Sequence, residues 1–147
     1  MPTTTHEVIR IGGLAIRFLV DPQASGGSVA MFEFEVAPAA KVPAAHSHDA
    51  YDETAYGLEG ILTYTVNGQN MEGRPGDSVF IPRSVVHRFE NLHSTPAKAL
   101  AIITPGLLGP DYFREIAGVL QSTPPGTPPN GAAIGEVMRR YGLTPAP

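Results

Sequence analysis

The sequence predicts an all-β domain of the sandwich or barrel kind, and three observations carry that prediction. Apolar residues alternate with polar ones over short segments. Gly and Pro, 16 and 15 of the 147 residues, fall between those segments as turn punctuation. Helical periodicity enters only after residue 110, in the tail.

Taken in order, Val8 to Ile11 and Leu14 to Val20 flank Gly12-Gly13, a pair suited to a tight hairpin turn. Ala30, Phe32, Phe34 and Val36 alternate with Met31, Glu33 and Glu35, so one face of this strand packs inward and the other meets water. Leu62, Tyr64 and Val66 alternate with Thr63 and Thr65, and Asn67-Gly68 then signals a two-residue hairpin into Gln69 to Glu72. Ser78 to Ile81 runs into Pro82, which cannot donate to a ladder and so marks a strand end before Val85 to Glu90. Ala99 to Thr104 closes the β region.

In the tail, Phe113, Ile116, Ala117 and Leu120 fall at i, i+3, i+4 and i+7, an amphipathic stripe with Asp111 as its N-terminal anion or cap. Ile134, Val137, Met138 and Tyr141 repeat the pattern, with Asn130 as cap and Gly142 as stop. Between them, Ser122 to Pro129 contains four prolines and reads as an extended connection. The helices either cover an outer face of the β domain or a dimer partner, or narrow its mouth as a lid.

Length and composition bound the rest. A chain of 147 residues with 42% hydrophobic content suits one core. A net charge of -4, with ten basic and fourteen acidic residues scattered, gives no footprint for nucleic acid or an anionic membrane. No apolar run approaches the ~20 residues that span a bilayer, and the polar start Met1 to Glu7 lacks the basic and hydrophobic regions of a signal peptide. The absence of cysteine excludes disulfides, zinc-thiolate sites and thiol catalysis, and cytoplasm is the expected compartment.

The chemistry concentrates in His46-Ser47-His48, Glu53 and the later His87. In a strand His46 and His48 share a face, and His87 must arrive from another strand. Glu53 lies an odd step from His48, so the chain must be re-aimed within Asp49 to Asp52 before the carboxylate joins the imidazoles; Asp52 is the weaker rival for that place. Three imidazoles and one carboxylate suit one divalent transition metal, Fe, Mn, Ni, Co, Cu or Zn, and leave positions open in five- or six-coordinate geometry. Glu53 has a second expected role as the group that accepts a substrate proton, since burial raises a carboxylate's proton affinity. Tyr51, Tyr56, Tyr64 and Phe89 are candidate pocket aromatics. If His87 points inward, Phe89 and Asn91 share its face, while Arg88 and Val86 point outward. His6 and His93 read as surface residues.

These motifs resemble the cupin superfamily. His46-x-His48-x4-Glu53-x6-Gly60 matches the first cupin motif, and Gly76-x5-Pro82 with His87-x3-Asn91 matches the second. Two positions depart from the pattern: Ala40 stands for the glycine that opens the first motif, and Ser84 for the glycine between Pro and His in the second. Both put turn geometry in question, because Gly takes positive φ readily and Ala or Ser only at a cost. Gly26-Gly27-Ser28, Tyr56 to Gly60 and Thr104-Pro105-Gly106 further resemble single-domain cupins of the quercetin-dioxygenase-like kind, over residues 7–141. The resemblance implies a double-stranded β-helix, or jelly-roll barrel, over residues 1–110 and a helical extension over residues 111–147 packed on the same domain. It implies a metal-dependent dioxygenase that binds a flavonol- or diketone-like compound through its deprotonated oxygen and inserts O2, in a homodimer. Cupins also include isomerases, epimerases, lyases and non-catalytic ligand-binding modules, and the sequence leaves these readings open.

Overall fold

The structure, a computed structural model, describes residues 6–147, so the polar start read above falls outside the described residues for residues 1–5. In chain order the elements are β1 (Val8–Ile11), β2 (Leu14–Val20), β3 (Ala30–Val36), β4 (His46–His48), β5 (Asp52–Glu59), β6 (Leu62–Val66), β7 (Gln69–Gly73), β8 (Ser78–Ile81), β9 (His87–Glu90), β10 (Ala97–Thr104), α1 (Pro110–Gln121), α2 (Gly131–Arg140) and β11 (Leu143–Pro145). They form a six-stranded sheet, β1-β2-β3-β10-β5-β8, and a five-stranded sheet, β11-β4-β9-β6-β7. Every pairing is antiparallel. The sheets face each other as the layers of a jelly roll and do not close into one continuous barrel.

The period-two pattern becomes the core. Ala30, Phe32, Phe34 and Val36 of β3 are buried, and so are Ala97, Ala99, Ala101 and Ile103 of its neighbour β10. The alanines of β10 are small, which leaves room in the core for the large rings of β3 beside them. Asn67 and Gly68 both adopt positive φ, 51° and 78°, as the hairpin signal requires.

The tail is built on the same core. Phe113 of α1 packs against Phe18 and Phe32, with ring centroids 5.8 and 5.1 Å apart. Glu115 of α1 accepts from Arg140 at 2.7 Å and from the Tyr141 hydroxyl, which ties α1 to the end of α2. Asn130 caps α2 through a bond from the Ala133 N–H, and Gly142 follows with φ 79°. Asp111 is the first-turn anion of α1 but not its cap; Gly109 holds the cap position with no side-chain bond, and Asp111 instead accepts from Arg114. The sequence reading missed β11. Pro145 cannot donate to a ladder, yet an edge strand three residues long needs few donors.

The two departures from the motif pattern resolve differently. Ser84 does take the left-handed conformation, φ 69°, and in it donates its N–H to the His48 carbonyl at 2.7 Å. Ala40 does not; the left-handed residue is its neighbour Ala39, φ 56°. Gly60 combines both demands on glycine: φ is 65°, and a Cβ there would lie 2.3 Å from the Pro96 carbonyl oxygen. Gly60→Ala should therefore cost more than about 2 kcal/mol in urea unfolding. Gly68→Ala, at positive φ but in open space, should cost about 1 kcal/mol. Equal losses at the two positions would rule out the close approach at Gly60.

Candidate metal centre

The histidines are gathered by register. His46 and His87 are direct cross-strand partners between β4 and β9, and His48 lies two residues on, over the same face. All three side chains are buried. Their ring centroids lie 4.6 to 5.3 Å apart, and each offers a nitrogen within 4.8 Å of those of the other two. Glu53 comes from β5 in the opposite sheet, paired with Ile81 on one side and Ile103 on the other. The re-aiming expected within Asp49 to Asp52 is thus a crossing between sheets. Glu53 lines the same cavity as the histidines but falls outside their 4.8 Å cluster.

Hydrogen bonds set which nitrogens are free. His46 Nδ1 meets the Ala44 carbonyl at 2.8 Å and His87 Nδ1 meets the Val85 carbonyl at 3.0 Å, each two residues back along its own chain. A carbonyl can only accept, so both Nδ1 atoms carry the proton and both Nε2 atoms keep their lone pair for a ligand. His48 Nδ1 is the one buried side-chain polar atom without a partner among the described residues; its ring stacks on Tyr51 at 4.6 Å.

Burial depresses the histidines. Desolvation, reinforced by His87, lowers His46 to about 4 and His48 to about 2, and desolvation lowers His87 as well. Neutral imidazoles with free Nε2 atoms are what a divalent ion requires. Desolvation pushes the Glu53 carboxyl up to about 7. The residues present therefore fit a divalent transition metal.

The cavity around them, about 60 Å3, is apolar elsewhere: Leu14, Ile16, Phe32, Phe34, Pro43, Phe89, Leu108, Tyr112, Phe113 and Leu143 complete its wall. A larger open groove of about 380 Å3 lies on the outer face of β1 and β2, where Arg10, Arg17 and Lys98 stand, and holds neither the histidines nor Glu53.

The sequence expectations divide accordingly. Phe89 lines the cavity, and Tyr51 supports His48 while its hydroxyl donates to the Tyr141 carbonyl at 3.1 Å. Tyr64 is buried in the core and, like Tyr51, stands outside the cavity wall. Tyr56 is not buried at all; at 42% exposure it sits on the outer face, because Ala55 takes the inward place on β5. Asp52 points outward too and accepts from Arg83 three times, at 2.8, 3.1 and 3.2 Å. Asn91 is buried but structural, donating to the Val36 and Thr95 carbonyls. Arg88 is outside, paired with Glu90, and His93 pairs with Glu72 at the surface. Parity on β3 already placed Phe32 and Phe34 inward, so their role was legible. Tyr112, one step off the stripe chosen for α1, and Leu143 on the unseen strand were not.

Two facing antiparallel layers, with three neutral imidazoles and a carboxyl group lining one apolar cavity between them, define a jelly-roll protein with a candidate metal centre. Residues 32–103 match the family model described as the cupin domain, which places a cupin domain in this chain. It is 37% identical over 71 residues to quercetin 2,3-dioxygenase of Bacillus subtilis, a match covering 48% of this chain and 20% of that one, so the chain spans a fifth of that relative's length. It is 32% identical over 97 residues, 65% of this chain and 64% of the other, to a tetracenomycin polyketide synthase protein of Streptomyces glaucescens. Among solved structures it is similar to a predicted oxalate decarboxylase of Thermotoga maritima (TM-score 0.64, 21% identity, 68% of this chain and 93% of the other). It is also similar to a sugar phosphate isomerase from a cupin superfamily of Silicibacter pomeroyi (TM-score 0.59, 25% identity, 68% and 71%). No described helix is long and apolar enough to cross a membrane.

The shifted groups oppose each other in metal-free protein. His46 and His48 titrate near 6.5 when unfolded and much lower when folded, so the unfolded chain binds more protons below pH 6.5 and stability falls on acidification. Glu53, raised from 4.5 to about 7, holds in the folded state a proton that the unfolded chain lacks, and stabilises progressively as pH falls from 7 to 4.5. Glu53→Gln removes that offset. Its melting temperature should fall more steeply than the parent's between pH 7 and 5, measured without metal; parallel curves would contradict the desolvated carboxyl.

Proposed function

We propose that this cupin is a metal-dependent dioxygenase of a small enolic or aromatic compound, flavonol- or diketone-like, with His46, His48, His87 and Glu53 as the metal ligands. The observation that carries the reading is the combination of three neutral imidazoles with a carboxyl of pKa about 7 in one apolar cavity. The Bacillus relative's activity, extended here to a chain that spans a fifth of it, supports the same direction.

A divalent first-row ion held there would supply Lewis acidity toward an enolic oxygen and, if redox-active, electron transfer to O2. The chain's own residues do the rest. Without metal, burial holds the Glu53 carboxyl up near 7; a divalent ion beside it would favour the carboxylate, the form able to take the proton from an enol or phenol O–H as the substrate seats. The apolar wall excludes water, so the carbanion character of the substrate is not quenched by protonation from solvent. Because both atoms of O2 enter the product, the reaction needs no external reductant.

The same histidines would serve an isomerase, epimerase or lyase, or a ligand-binding module. No Lys or Arg lines the cavity, which counts against a phosphorylated sugar as its occupant. The proposal further takes residues 1–110 and 111–147 as one domain, and the protein as a cytoplasmic homodimer whose second copy covers Tyr56 and Phe80, exposed by 42% and 58% on the outer sheet.

Metal content by plasma mass spectrometry on tag-free protein, beside His48→Ala, tests the proposal. Near-stoichiometric Fe, Mn, Ni, Co or Cu is expected in the parent and less than a tenth of it in the variant, with oxygen uptake on at least one of a flavonol and a set of small 1,3-diketones. Bound metal without uptake on any of them would move the assignment to the non-redox enzymes, and a folded protein that takes up no divalent ion would move it to the binding module.

A further inference from the structure

Tyr112 lies on α1, beyond the cupin-matched residues 32–103, yet it lines the cavity that holds the three histidines and Glu53. It is the one polar side chain in that wall besides the four groups already assigned. Its ring is fixed edge-on between Phe113, at 4.9 Å, and Tyr141, at 5.6 Å, so its direction is set by packing. The residue is 6% exposed. A tyrosine that is only core normally sends its hydroxyl to a protein acceptor, as Tyr51 does to the Tyr141 carbonyl. Tyr112 makes no such bond among the described residues. Nor is its hydroxyl sealed from the solvent-accessible space, since His48 Nδ1 is the one sealed side-chain atom without a partner among the described residues.

We propose that the Tyr112 hydroxyl is a substrate-binding hydrogen-bond donor, supplied to the metal cavity by the C-terminal extension. Its acceptor is an oxygen of the small molecule that occupies the cavity. The setting favours this use. The aliphatic and aromatic side chains of the wall, Leu14, Ile16, Leu108, Phe113 and Leu143, carry no acceptor, and a bond to an anionic oxygen in apolar surroundings is stronger than one made in water. Substrate choice then belongs to the appendages: the histidines come from the two motifs, while the group that reads the ligand comes from a helix outside them. The inference rests on the reading of this cavity as a small-molecule site.

The test uses cobalt-loaded full-length protein titrated with acetylacetone, a 1,3-diketone whose enolate oxygen can accept from the phenol, followed by the visible bands of the cobalt. Tyr112→Phe keeps the ring and the packing and removes only the hydroxyl. It should bind cobalt at the parent's stoichiometry and melt within about 2 °C of it, yet bind acetylacetone roughly tenfold more weakly. Azide, too short to need a second contact, should bind both proteins alike. Equal acetylacetone affinity in Tyr112→Phe and parent would overturn the role of Tyr112 while leaving the cavity reading intact. Failure of the parent itself to bind either probe would overturn both.

Discussion

The antiparallel pairing of His46 with His87 is the contact on which the site depends. These residues are 41 positions apart, and only the laying of β4 beside β9 makes them neighbours. A slip of one residue would turn both imidazoles to the outer face, because strand side chains alternate strictly. β4 is just three residues long and could not hold register unaided. Its other edge is covered by β11, which pairs Leu143 with His48 and Pro145 with His46. Around that pairing, the Asp49 N–H donates to the Gly142 carbonyl and the Ala146 N–H to Ala45, while the Thr144 hydroxyl donates to Asp49 at 2.6 Å. From below, the Ser84 N–H holds the His48 carbonyl. The left-handed turn at Ser84 has a purpose in this light, since it points a donor at the strand that carries His46 and His48.

The second constraint is electrostatic. Three imidazoles within 4.8 Å of one another could not all be charged, and burial keeps them neutral. Burial acts on Glu53 with the opposite sign and brings its carboxyl toward neutral pH. One physical cause, the removal of water by an apolar wall, thus keeps the imidazoles neutral and raises the carboxyl. The wall comes from both sheets and from α1, so the chemistry and the core share their packing. Phe32 illustrates the overlap: it lines the cavity and also seats Phe113 of α1.

Much of this was written in the sequence. The alternation in β3 and β6, the Asn67-Gly68 turn and the odd step from His48 to Glu53 are local signals, each governed by periodicity or by the conformations open to a single residue. They carried the all-β class, the inward faces of β3 and β6 and the pointer to His46, His48, His87 and Glu53 as candidates. The helix stripes were equally readable, down to Asn130 as cap and Gly142 as stop.

What the tertiary structure decided is non-local. It converted the bend after His48 into a crossing between sheets, set Glu53 across the cavity from the histidines instead of among them, and sent Tyr56 outside. It made a strand of Leu143 to Pro145, whose sequence promises none, because an edge of β4 needed a partner. It brought Tyr112 into the wall of a site built some 25 to 66 residues earlier. Periodicity says which way a side chain points from its own backbone; which other backbone it then meets is settled only when the sheets pack.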